Sequence, residues 1–503
     1  MKKIGSIALC TLLACGAFDP DPLPAYGEAL VVVDTDLPVP RVVSRLRIDL
    51  YAEDGTWLTS RDEIRPDPRD WPTSFSVYTD DEARGRVVML RLRAYPEGRQ
   101  VRYRGAIRGT LPDLLREIPQ GDGEPRLIEA GVDRTPELEP DPTLAVDRLV
   151  RIRLVPGQRG RVVVVLHGSC AGAVAEVLPN PQSCVDGDFL PIEEPAPEQT
   201  LERTIPSVVG TWGEQPCEPS ADEKVCIPGG AFVLGDLFFR PASRAGDEEA
   251  IDSRPERVVS VSRFLVDRDE VTVARFRAAL ARGFKPPRTI AVTEKDGPLG
   301  SDPDATCTFS AAPRGREALS ISCVAWDQAQ AFCKFEGGDL PTEVQWEYMA
   351  LAAGRSKKAL YPWGDDPPSC ERTVYARSRL IDDCIDRGEG LLEGPVDVTP
   401  LGVRNVGGGL EEHVRDTHLS FKNECWRNAP AVDPSCILPP PPECVPDPTS
   451  IECRIEAGGW RHGTRGGSWS TPPEDLRGVI RTESQNAGTQ SPVAGFRCVY
   501  PAP

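Results

Sequence analysis

Residues 323–348 read CVAWDQAQAFCKFEGGDLPTEVQWEY. The apolar spacing predicts a helix over roughly Trp326–Phe335, a glycine break, and a second helix opening at Thr342. Thr342 and Gln345 stand three residues apart, the arrangement in which each side chain satisfies the other's backbone N–H as a capping box. Beyond it, Trp346, Met349, Ala350 and Ala353 fall on one helical face, and Gly354 supplies a stop.

The same texture continues towards the N-terminus. Thr272 can cap a helix running to Arg282, with Val273, Phe276 and Leu280 on one face and Gly283 as its end. CIPGGAFVLGD (226–236) reads as a strand entering a turn. Short helices set among many turns define one domain over 217–503.

Residues 28–185 have another character. Leu46, Ile48 and Leu50 alternate with Arg47 and Asp49, and Val150, Ile152 and Leu154 alternate with Arg151 and Arg153. Val88, Leu90 and Leu92 repeat the pattern. Period two with one charged face predicts half-buried antiparallel strands with a solvated outer side, hence an all-β, sandwich-like domain. PGQRG (156–160) predicts a hairpin turn into VVVVL (162–166), and a helical turn is expected near Leu111–Ile118. VVVVLHGSC has the look of a hydrolase strand, but the chain has no G-x-S-x-G elbow, so His167 reads as the surface end of a core strand. Residues 186–216, with PIEEPAPEQ and little periodicity, read as a linker.

At 503 residues the chain is too long for one core. Its net charge of −19 repels nucleic acid and anionic lipid surfaces, so neither is an expected partner. Residues 1–15, MKKIGSIALCTLLAC, join two lysines to a short apolar stretch and Leu12-Leu13-Ala14-Cys15. This is the form of an export signal, too short to span a bilayer. Leu-Leu-Ala before Cys matches the bacterial lipobox, with Cys15 as the lipidated residue and 16–27 as a tether. Gly16 and Ala17 follow without an acid, which favours the outer membrane, facing the periplasm or the cell surface. A plain secretory signal is the alternative. Of 16 cysteines, Cys10 and Cys15 fall in the leader and the remaining fourteen are an even set. Exported chains form disulfides, and no C-x2–4-C zinc pair occurs among the fourteen, so seven disulfides are expected. Cys170 with Cys184, and Cys217 with Cys226, each enclose a short loop and pair.

Residues 323–348 resemble the central signature of the formylglycine-generating enzyme, or sulfatase-modifying factor, family. PGGAFVLGD (228–236), VSVSRFLVDRDEVT (259–272), YPWGD (361–365) and RGGSWS…RTESQNAG…GFRC (465–498) follow in the family's order. The resemblance covers about residues 226–500. It implies an α+β, C-type-lectin-like fold with few regular elements and long ordered loops. It also implies a Cys333–Cys498 disulfide. A second family disulfide lacks both partners here. Proximity suggests Cys307–Cys323 and Cys370–Cys384, while Cys425, Cys436, Cys444 and Cys453 close on one another, in an order left open, within a Pro-rich insert at about 419–459.

Enzymes of the family place two reactive cysteines after the Gly-Gly-Ser-aromatic step, where they hold Cu(I) and activate dioxygen. Those positions fall near Thr471 and near Asp475 or Leu476, and no Cys lies between 454 and 497. A hydroxyl, a carboxylate or a Leu does not supply the soft thiolate that Cu(I) prefers, so copper is not expected. NVGGGLEEHVRD (405–416) resembles a calcium-binding stretch of the family, with Glu412 at the acidic ligand position and Gly409 in place of its Asn. His413 and His418, beside Glu411, Glu412 and Asp416, read as a solvated cluster or a metal site. Two functions follow. One is a lipid-anchored, non-catalytic module binding a protein, peptide or glycan in the cell envelope. The other is an oxygen-dependent oxidoreductase with unrecognised active-site chemistry.

Overall fold

Strands form where period two placed them, and they divide between two sheets. The computed structural model describes residues 27–79, 85–103, 125–192, 207–218, 223–236, 253–293, 307–377, 384, 396–445, 447–456, 460–483 and 486–502. The segments read as a leader with Cys10 and Cys15, nearly all of the expected tether, and the helical turn expected near 111–118 lie outside the described residues.

The N-terminal half contains β1 (Glu28–Thr35), β2 (Arg45–Ala52), β3 (Trp57–Ile64), β4 (Thr73–Tyr78), β5 (Arg86–Tyr95), β6 (Val146–Leu154) and β7 (Arg159–Leu166). One sheet runs β7-β1-β4 and the other β6-β5-β2-β3. Val31, Val33, Leu46, Leu90, Leu92, Ile152 and Val164, drawn from both sheets, enter one buried apolar cluster.

Two expectations are corrected here. Residues 156–160 turn the chain but make no hairpin: β6 pairs antiparallel with β5, whereas β7 pairs parallel with β1. The turn carries the chain across to the facing sheet, because an apolar sheet face must be covered by another layer. The charged side of β2, β5 and β6 is only partly solvated: Arg153 of β6 is exposed and Arg151 half-buried. Arg47, Asp49, Arg93 and Asp147 are buried. Arg93 donates to Asp49 at 2.7 Å and to Glu139 at 3.0 Å, and Arg47 donates to the Leu138 carbonyl at 3.0 Å. The Ala175 N–H donates to Asp147 at 3.1 Å. Segments following these strands fold back over the face and supply the partners that buried charges need. They leave a cavity of about 410 Å³ bordered by Tyr51, Arg91, Arg93, Tyr103, Glu139 and Asp147.

The two halves share packing. Gln182–Val185 and Asp188–Pro191 form a hairpin at the start of the stretch read as a linker. Trp212 then packs so closely on Gly168 that a Cβ there would meet the ring at 2.4 Å. Ala231, Val233 and Val258 join the N-terminal apolar cluster, and Arg99 makes a two-point ion pair with Glu256 at 2.6 and 2.7 Å.

The C-terminal half contains β8 (Lys224–Ile227), β9 (Gly230–Leu234), β10 (Arg257–Val261), β11 (Phe264–Asp267), α1 (Val273–Ala281), α2 (Trp326–Phe335), α3 (Glu343–Glu347), β12 (Glu411–Thr417), β13 (His462–Arg465), β14 (Arg481–Glu483), β15 (Ala494–Gly495) and β16 (Val499–Pro501). Its sheets are β8-β11-β16, β9-β10 and β14-β13-β12-β15. Thr272 accepts from the Arg275 N–H at 3.2 Å, and Thr342 and Gln345 cap each other at 3.0 and 3.1 Å. Phe276 of α1 stacks on Phe332 of α2 with centroids 5.2 Å apart. α3 is not an amphipathic helix with one inner face. It widens into a π turn over Tyr348–Ala352 and is buried all round. Its two acids, Glu343 and Glu347, are buried against Arg481 and Arg465.

Disulfides join Cys170–Cys184, Cys217–Cys226, Cys307–Cys323, Cys333–Cys498 and Cys370–Cys384. In the insert, Cys425 bonds Cys436 and Cys444 bonds Cys453. Seven disulfides point to export into an oxidising compartment. No helix among the described residues is long and apolar enough to cross a membrane.

Candidate functional site

Arg465 ends β13 fully buried, with its guanidinium beside Glu347 and over the Trp346 ring at 5.3 Å. The chain must then turn within a tight space. Gly466 has φ +80°, and a Cβ there would lie 2.6 Å from the Val406 carbonyl oxygen. At Gly467 a Cβ would lie 2.3 Å from Leu476 Cδ2. Only glycine fits both positions.

The loop that follows is laced down by backbone. The Gly467 N–H donates to Gly407 at 3.1 Å and the Trp469 N–H to Gly409 at 2.8 Å. On the other side, the Ala376 and Arg377 N–H groups donate to the Thr471 and Trp469 carbonyls at 3.0 and 2.8 Å. The triple glycine 407–409 is itself held by Asp397, which accepts from Gly407, Gly408 and the Thr373 hydroxyl. Burial pushes the Asp397 carboxyl up to about 6.

Thr471 and Leu476 occupy different surroundings. The Thr471 hydroxyl accepts from the Ser468 N–H at 2.9 Å and lies 3.0 Å from the Ser468 hydroxyl, which is 3.1 Å from that of Ser470. These three hydroxyls satisfy one another, and no imidazole or carboxylate is bonded to any of them among the described residues. Leu476 is buried in an apolar cluster with Tyr375, Ala376 and Cys384. A turn over Pro473–Asp475 separates the two positions. A Cu(I) site needs thiolates, and every described cysteine is in a disulfide. The residues present do not fit copper.

Glu412, the acid of the calcium expectation, is engaged by protein donors. Both Glu412 oxygens accept from Arg497 Nε at 2.8 Å, and Oε2 also accepts from Trp346 Nε1 at 2.8 Å. With a guanidinium in contact, the carboxylate already has a counter-charge. No group of three or more His, Cys, Asp or Glu that could hold a metal occurs among the described residues.

Nor are His413 and its neighbours a solvated cluster. His413 is buried with Nε2 2.9 Å from the Val324 carbonyl, and burial lowers it to about 4. His462 stacks on Trp326 at 3.4 Å, and burial lowers it to about 3. Both are neutral at pH 7. Burial raises Asp416 to about 7, with Glu343 adding to the effect. His418 stands apart, half-buried, with its backbone N–H on Arg461. At the other end of the molecule, His167 bonds Asp36 at 3.0 Å, which raises the imidazole.

Sequence reading passed over Glu270. It is buried, accepts from the Ser320 hydroxyl at 2.7 Å, and its Oε1 has no partner. Burial, then the Glu412 charge, hold it well above the usual carboxylate range. Nothing in VDRDEVT distinguishes this acid from Asp267 or Asp269, because only folding brings it beside Glu412.

A family profile described as "Sulfatase-modifying factor enzyme 1-like domain" matches residues 210–502. Among curated proteins, the chain is 28% identical over 275 residues to a hercynine oxygenase of Mycolicibacterium smegmatis, covering 52% of this chain and 57% of that protein. It is 28% identical over 171 residues to a formylglycine-generating enzyme of Streptomyces coelicolor, covering 28% and 51%. The chain thus spans little more than half the length of these relatives. Among solved structures, PvdO from Pseudomonas aeruginosa aligns with a TM-score of 0.38 at 19% identity, covering 55% of this chain and 94% of that one.

Proposed function

Because the chain belongs to the sulfatase-modifying factor enzyme 1-like family, we propose that it keeps the family scaffold as a non-catalytic binding module of the cell envelope. One observation carries this reading. Near the positions where the resemblance puts the family's reactive cysteines stand a hydroxyl bound to its own loop, Thr471, and a buried packing residue, Leu476. In this reading a β-sandwich-like domain and a C-type-lectin-like domain together present the loops to a protein, peptide or glycan. Cys15 carries the lipid that tethers them, at the outer membrane.

The test is direct. The full chain is incubated with a Cys-x-Pro-x-Arg peptide, Cu(I) and oxygen, and the products are read by mass spectrometry. No aldehyde is expected, and formation of formylglycine would falsify the non-catalytic reading. For the anchor, Cys15→Ser should move the protein from the membrane to the soluble fraction, and unchanged membrane association counts against lipidation.

A second reading is an oxygen-dependent oxidoreductase with chemistry of its own. The names of the two curated relatives favour it. It requires oxygen consumption by the purified chain, with some substrate, that survives removal of added copper.

A further inference from the structure

We propose that Ile437–Pro442, ILPPPP, is a pre-shaped polyproline ligand that docks into an aromatic-lined groove of a partner protein. Each proline fixes its own φ near −65°, and each residue before a proline is driven out of the helical region. Leu438, Pro439, Pro440 and Pro441 all precede a proline, so all four are confined to extended geometry. Pro441 has φ −55° and ψ 145°, the polyproline II conformation. Four such residues span about 12 Å, slightly more than one three-residue turn. Leu438 and Pro441 therefore share one edge of the ridge, with Pro439 on the next.

Exposure and anchoring point the same way. Ile437 and Leu438 are 46% and 41% exposed, Pro439 and Pro442 are exposed as well, and Pro440 and Pro441 are half-buried. The segment is fixed at both ends. Cys436 is bonded to Cys425 on one side, and Cys444 is bonded to Cys453 on the other. The Leu438 N–H is already given to the Thr417 hydroxyl at 3.0 Å. The prolines carry no N–H, so the segment cannot add itself to a sheet edge. What it offers is ring faces and outward carbonyls in a conformation that loses little entropy on binding, which is what aromatic grooves read. Exposed Val445 and Ile451 flank it, as do exposed Asp433, Glu443 and Glu452. The fitting partner has parallel aromatic rings that receive Leu438 and Pro441, and a basic rim. This proposal stands whether or not the glycine-turn site is catalytic.

The experiment titrates the full chain against a panel of purified polyproline-reading domains of the SH3, WW and EVH1 types, followed by fluorescence of their groove tryptophans. At least one domain is expected to bind. Pro440→Ala/Pro441→Ala should weaken that binding at least tenfold while leaving the thermal midpoint unchanged. A free ILPPPPE peptide should compete, which keeps the test valid if the variant folds poorly. Absence of binding across the panel overturns the proposal. So does equal binding by the variant, or failure of the peptide to compete.

Discussion

Arg497 closes on Glu412 across 85 residues of sequence, with both side chains fully buried. The same guanidinium donates to the Asp267, Arg268 and Arg404 carbonyls, so one residue ties together β11, β12 and the loop before the triple glycine. A buried pair of this kind does more for uniqueness than for net stability, but breaking one side is costly. Glu412→Ala should destabilise by about 3–5 kcal/mol in urea unfolding, because Arg497 is left buried and unpaired. Glu412→Leu with Arg497→Met should recover most of that loss. A double variant no better than the single one would show that the pair is not the cause.

From Cys170 to Cys498 every cysteine is in a disulfide, which leaves no thiolate there for Cu(I). Alkylation of the unreduced native protein by iodoacetamide should label none of the fourteen cysteines from Cys170 to Cys498, as read by peptide mass mapping. Labelling of any of them reopens the question of a soft-metal site.

Leu476 has become a packing residue. It fills the space left by Gly467 and contacts the Tyr375–Ala376 segment. Leu476→Ala should cost about 2–4 kcal/mol, the usual range for a buried leucine. A loss under about 0.5 kcal/mol, typical of a surface site, would place this side chain outside the core.

Glu411 gives a pH signature. Burial raises its carboxyl to about 7 from an ordinary 4.5, against a hydrogen bond from the Thr464 hydroxyl at 3.0 Å that pulls it down. A carboxyl raised by folding stabilises fully below the unfolded value and loses that contribution as pH climbs through the folded value. The window is therefore about pH 4.5 to 7. Glu411→Gln, always neutral, should be more stable than the native chain at pH 8 by about 1–2 kcal/mol, with the gap closing by pH 5. A gap independent of pH contradicts the assignment.

Local chemistry was legible in the sequence because its causes lie within a few residues. Thr272, Thr342 and Gln345 cap helices with their own neighbours, and cysteines nine to sixteen apart bond across short loops. Period two marked which strand faces turn inward. It could not say what would cover the other face, so Arg47 and Asp49 looked solvated until the segments around Leu138–Glu139 and Ala175 closed on that side of the sheet. It could not say which sheet β7 would join, because a turn fixes reversal of the chain and not its neighbour. The sequence by itself determined that no cysteine stands between 454 and 497. Only the tertiary structure decided that Glu412 faces Arg497. A carboxylate's role is set by which charge lies within a few ångströms, and here that charge comes from the far end of the chain.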